Sequence, residues 1–205
     1  MLGLLWSGDE VSWRGGFRAG LDSVTLAPKP IQPDGPPIWV SVSSSDSIAE
    51  AVRFGSPAAI PLVSTGFDRG SELVREYRER WTAAGRRAED ALVAVNVHCH
   101  VNERPDAREF WGPYQFEYLK WVVRLVKGVD VPLDQARPFW ATLDPPTAQA
   151  VCGSPREVAD RLTEFAEAAG GVDVWLYQGD QGGLGQRETL ESLTLFAEEV
   201  APNLA

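Results

Sequence analysis

Ser43, Ser44, Ser45, Asp46 and Ser47 stand between an apolar run, Ile38 to Val42, and a helical pattern that continues to Phe54 and stops at Gly55. Hydroxyl side chains at a helix start have two uses. They cap the helix: here Ser45 or Asp46 would accept from the first backbone N–H groups, or Ser47 and Glu50 would form a reciprocal box. Or they receive an anion, which the free N–H groups and the helix dipole favour. Asp46 opposes an anion if it points inward and suits the first turn if it points to solvent. His98 and His100 form a second candidate group in ALVAVNVHCHV. Imidazole titrates near neutral pH, so acid–base or orienting chemistry is open to them, as is hydrogen-bonded burial; no carboxylate at paired spacing accompanies them. GDQGGLG, residues 179–185, offers glycine N–H groups to a phosphate or ring edge but lacks a Walker or dinucleotide fingerprint, so it reads as a loop at an active end. Cys99 and Cys152 match no zinc or redox spacing and each ends a strand-like run, which predicts buried, reduced thiols and no metal centre.

These residues need elements to hold them. Residues 9–27 contain two short strand-like runs around Gly15-Gly16, a hairpin signal, and PKPIQPDGPP follows as an extended connector. From Pro37 strands and helices alternate: Ile38 to Val42 and a helix from about Asp46; AAIPLV and a helix over 68–86 with Leu73, Tyr77 and Trp81 on one stripe; ALVAVNVHCHV and an aromatic helix from about Pro105 to Val126. A short helix near 133–141 comes next, then GSPREVADRLTEFAEAAG, with Ser154 as N-cap, Pro155 in the first turn, Glu157 closing a capping box and Gly170 at the end. VDVWLYQ is read as the fourth strand, before a last helix from about Arg187 to Val200. Alternation without hairpins predicts a parallel sheet. In the third strand Val93, Val95, Val97, Cys99 and Val101 share one face, and Ala94, Asn96, His98 and His100 the other. A valine face against helices and a polar face inward favour a barrel over an open sheet.

Composition bounds the rest. The 205 residues are 44% hydrophobic and 23% charged, enough for one core. A net charge of −10 argues against nucleic acid or an anionic membrane as partner. The start, MLGLLWSGDEV, has no basic region ahead of its short apolar stretch, and no segment approaches the ~20 apolar residues of a membrane span, so the cytoplasm is the expected location.

The order of motifs resembles the bacterial luciferase-like flavin-dependent monooxygenases. LLWSGDEVSWRGGFRAGLDSVTLAPKPIQPDGPPIWVSVSSSDSIAEAVRFGSP resembles that family's central stretch, and VCGSPREVADRLTEFAEAAGGVDVWLYQGDQGGLGQRETLESLTLFAEEVAPNL its C-terminal end. The resemblance implies an α/β fold, a partial TIM-type (β/α) barrel corresponding to strands five to eight plus a small N-terminal β-hairpin: residues 1–36 as hairpin and connector, 37–205 as four strand–helix units of one domain. It implies FMN, or alternatively a deazaflavin, and a small organic substrate oxidised with reduced flavin and oxygen, in a truncated enzyme. A non-catalytic flavin-binding or assembly protein derived from the family is the alternative. By the same resemblance Ser44 and Ser47 fall at phosphate-contacting positions and Ser43 where some members carry an acid; His98 and His100, near the C-terminal end of their strand, are the catalytic candidates on their own chemistry. Four barrel strands leave two unpaired edges and an open inner face, so a homodimer or a complementary barrel half is expected as partner.

Overall fold

The computed structural model describes residues 1–33, 35–130 and 149–204; the short helix expected near 133–141 lies outside them. Contacts divide the chain into two units, Met1–Ile38 and Trp39–Ala205. In the first, a helix the pattern did not announce, α1 (Leu2–Ser7), precedes the hairpin strands β1 (Val11–Trp13) and β2 (Leu21–Val24), which pair antiparallel. Lys29 Nζ donates to the carbonyls of Leu5, at 2.9 Å, and Gly8, closing the C-terminal end of α1.

The second unit is built on a five-stranded parallel sheet: β3 (Val40–Ser41), β4 (Ala58–Pro61), β5 (Val93–Val101), β6 (Ala150–Gly153) and β7 (Val174–Gln178). β5 is the hub, paired with β4 over residues 93–96, with β7 over 94–98 and with β6 over 98–101. Four strands were expected from alternation; β6 makes a fifth, its four residues too short to show a period. Between the strands run α2 (Ser45–Phe54), α3 (Leu62–Ala83), α4 (Ala107–Lys127), α5 (Pro155–Ala169) and α6 (Gln186–Leu195), the last continued by a π-helical turn over Phe196–Val200. α3 starts one turn earlier than its stripe suggests, because Gly66, at φ 69° and ψ 178°, bends Leu62–Thr65 onto the helix proper.

The alternation in β5 divides the packing. Its valine face meets Leu73, Tyr77 and Trp81 of α3, Ile48 of α2 and Leu162 of α5 in the main core, where each large apolar side chain contributes about 1.5–3 kcal/mol. Its histidine face meets α4 in a separate small cluster of Ala107, Trp111, Ala150 and Cys152. Register puts Val174 and Leu176 of β7 beside Ala94 and Asn96 on that second face, and there they stay 38% and 41% exposed. The inner face is therefore part covered and part open, rather than open throughout: α4 lies over its histidine end. Among the described residues no helix is long and apolar enough to cross a membrane.

Candidate functional site

The serine turn follows β3, the histidines end β5, and the 179–185 loop follows β7, so parallel pairing puts all three at one end of the sheet. Two strand spacings separate β3 from β5, about 10 Å.

At the first of these places α2 begins at Ser45 with Ser44 as its N-cap. The cap is a box between Ser44 and Ser47, one residue before the start considered from sequence. Ser44 Oγ accepts from the Ser47 N–H at 3.3 Å. Ser47 Oγ accepts from the N–H groups of Ser43 and Ser44 at 3.1 and 3.0 Å and donates to the Ser44 carbonyl at 2.8 Å. The amides of Ser45 and Asp46 and the exposed Ser43 hydroxyl have no partner among the described residues. Asp46 is exposed, the orientation compatible with an anion at the turn. Arg80 of α3 donates to the Ser45 carbonyl at 3.1 Å and adds a guanidinium to the first turn. An acceptor-only group such as a phosphate fits this donor set: free N–H groups, a hydroxyl and the positive end of a ten-residue helix.

At the second place His98 and His100 are buried. His98 Nδ1 bonds to Gln115 Oε1 of α4 at 3.0 Å, and Tyr118 meets its ring edge-on at 4.7 Å. Burial lowers the His98 pKa, against the Gln115 bond and the field of Asp180. Burial also lowers His100 to about 4, opposed by Glu188. Both imidazoles are therefore neutral at pH 7. The Trp111 indole stacks parallel on His100, 5.9 Å between centroids and 8° between planes, with Phe110 tilted at 5.8 Å. Six buried side-chain atoms of the described residues lack a hydrogen-bond partner: His98 Nε2, His100 Nδ1, Asn102 Nδ2, Trp111 Nε1, Gln115 Nε2 and Gln181 Oε1. Each such atom costs about 1–3 kcal/mol, and all six belong to the histidine end of β5 or to the segments α4 and 179–185.

The third place leans on the second. Gly182, at φ 62°, brings its backbone so near the Tyr114 carbonyl that a Cβ would stand 1.9 Å from that oxygen, so the 179–185 loop and α4 form one surface. Beside them an open cleft of about 830 Å³ is lined by His100, Phe110 and Leu190 among others. Ser192 of α6, fully buried, accepts from the Val101 N–H at 2.7 Å and shares a hydrogen bond of 2.8 Å with the Tyr177 hydroxyl, tying the end of β5 to β7. Cys99 lies in the valine-face core and Cys152 in the small cluster; burial raises Cys99 well above the ordinary thiol range and Cys152 to about 12, leaving both unreactive.

Ser192 carries no signal in its own segment, whereas Gln181 lies in the 179–185 loop and Trp111 and Gln115 in the aromatic stretch FWGPYQFEYLKWVV, a run that suits an apolar substrate pocket or a helix core. The spacing of Trp111 and Gln115, four apart in an aromatic helix, marks one helical face but not what that face covers.

The model of the luciferase-like monooxygenase family matches residues 1–172. The chain belongs to that family. No curated protein sequence matches it significantly. Solved structures share its fold. The monooxygenase RslO1 from Streptomyces bottropensis is 23% identical with a TM-score of 0.74 over 100% of this chain and 59% of its own. The coenzyme F420-dependent tetrahydromethanopterin reductase from Methanopyrus kandleri is 16% identical, TM-score 0.64, over 100% and 61%. The oxygenating constituent of 3,6-diketocamphane monooxygenase from Pseudomonas putida, solved with FMN, is 18% identical, TM-score 0.59, over 100% and 61%. At these identities the likeness is one of fold, and the chain spans about three-fifths of each relative's length.

Proposed function

We propose that this chain is the flavin-binding portion of a luciferase-like flavin-dependent monooxygenase, with β3, β4, β5 and β7 in the places of barrel strands five to eight. The observation that carries this reading is the N-terminus of α2, where free amides and the Ser43 hydroxyl await an acceptor at the active end of a parallel sheet. Ser43 and the Ser45 and Asp46 amides hold the FMN phosphate, while Ser44 and Ser47 shape the turn that presents them. A bound reduced flavin supplies the electrons that activate oxygen. The chain's own contribution is to fix the phosphate, to place neutral imidazoles, His98 and His100, about two strands away, and to keep water from them. An organic substrate of small size enters at the same end of the sheet.

The fold shared with the F420-dependent reductase supports a deazaflavin as the alternative cofactor, since its phosphate meets the same donors. A protein that binds flavin without turnover is a second reading, favoured by the enclosure of His98 between Gln115 and Tyr118. The edge of β7 that has no partner among the described residues and the half-exposed Val174 and Leu176 support pairing with further strands, from a second copy or a complementary barrel half.

Titration with FMN and with riboflavin, which lacks the phosphate, tests the assignment. Wild type binds FMN more tightly, and Ser43→Ala narrows the gap about threefold with no change in melting temperature, because Ser43 joins the cap through its backbone N–H and not through its hydroxyl. Equal affinity for the two flavins in wild type removes the phosphate site. Oxidation of reduced flavin that depends on substrate separates the enzyme from the non-catalytic binder.

A further inference from the structure

We infer that α4, together with the 179–185 loop, is a displaceable cover, and that Trp111 occupies the place of a planar heteroaromatic ring on His100. The idea concerns regulation of the proposed flavin site and rests on that reading for the identity of the ring.

Four observations carry it. All six unpartnered buried polar atoms of the described residues belong to His98 and His100 of β5, to Asn102 just after it, or to α4 and the 179–185 loop. A permanent core interface pairs such atoms or replaces them with apolar ones, as the valine face does, so this interface is better satisfied by something other than α4. Second, the attachment is mostly ring contact: among the described residues the side-chain hydrogen bonds from α4 to the sheet are His98 to Gln115 and Cys152 Sγ to the Ala107 carbonyl, and the helix joins a small cluster separate from the main core. Third, α4 carries Pro113 in its interior, which has no N–H for the Glu109 carbonyl and so leaves one helical hydrogen bond unmade beside the buried Trp111, while its second half projects Trp121, Leu125 and Val126 at 61%, 87% and 73% exposure. Fourth, the Trp111 indole lies parallel to His100 within 8°, the arrangement a flat conjugated ligand takes on an imidazole, and its Nε1 finds no acceptor. A tricyclic ring with polar edges stacks there equally well and brings acceptors and donors for the atoms α4 leaves unpaired.

Hydrogen exchange on the whole chain and titration with lumiflavin, a flavin ring without ribityl or phosphate, test the two halves. In ligand-free wild type the amides of 107–119 exchange through local opening, at least tenfold faster than those of α3 and α5, which wait for global unfolding. Lumiflavin binds Trp111→Ala at least tenfold more tightly than wild type, because it no longer competes with the indole. Exchange of α4 at the rate of α3 and α5 overturns the cover, and unchanged or weaker lumiflavin binding by a folded Trp111→Ala overturns the ring place. If that variant does not fold, Gln115→Ala, which breaks the hydrogen bond and keeps the indole, is read instead: α4 exchange faster than wild type supports the cover and unchanged exchange overturns it. Loss of the FMN–riboflavin difference in wild type with fast α4 exchange removes the phosphate assignment and leaves the cover standing.

Discussion

Two helices of the sheet unit start with the same device and different charges. At α5 the box is Ser154 with Glu157: the carboxylate accepts from the Ser154 N–H at 2.8 Å and from its hydroxyl at 2.7 Å. At α2 the corresponding partner of Ser44 is Ser47, a neutral hydroxyl. The first helix thus carries its own anion in the place an anion favours, and those bonds hold the Glu157 pKa below the usual carboxylate range. The second satisfies its cap without charge, and its first-turn acid, Asp46, is exposed and outside the box. A serine box is a stabilising cap in both cases; the residue three places on decides whether the cap itself brings a negative charge to the helix start.

Predictions that break or sharpen this contrast run from large to small. Ser47→Glu gives α2 the α5 arrangement and sets a carboxylate where the phosphate is proposed, so the preference for FMN over riboflavin is expected to fall about 100-fold with melting temperature kept or raised. An unchanged preference would place the phosphate elsewhere. In the double variant Ser44→Ala/Ser47→Ala the turn loses its shape; the same preference drops about tenfold and stability by about 1 kcal/mol, read from urea denaturation. Glu157→Gln leaves flavin affinity untouched and costs about 0.5–1 kcal/mol at pH 7. The pH dependence of that cost has a fixed sign. The folded-state pKa of Glu157 lies below its unfolded value near 4.3, so the stabilisation is present above that pH and disappears as pH falls through the folded value. Denaturation midpoints of wild type and Glu157→Gln therefore converge as pH falls through the folded-state value. A constant gap would mean that packing, not charge, holds the α5 cap.

Local rules carried much of the fold. Leu73, Tyr77 and Trp81 are all buried as one stripe, Ser154, Pro155, Glu157 and Gly170 bound α5 as their types require, and the valines of β5 all face the main core. Each of these follows from a period or a cap within a few residues. Where expectation and structure part, a longer range is involved. The strand-like run ending at Cys152 takes its place in the sheet as β6 only through its pairing with His98 to Val101, and the cap register of α2 moved to Ser44 because Ser47 bends back to three groups of the turn at once. Gln115 and Trp111 belong to the site only because α4 folds over β5, a placement that no spacing in residues 105–126 encodes.

The serine turn shows the division plainly. The order of residue types by itself determined that a strand ends in hydroxyls and a helix begins there, because hydrogen-bonding capacity and helix dipoles are local properties. Membership of the family was also legible in that order. Tertiary structure alone decided which hydroxyl remains free, that the turn shares one end of a parallel sheet with His98 and His100, and that α4 covers those histidines. Burial, pairing and exposure depend on which distant segment arrives, and a segment's own sequence does not state its neighbour.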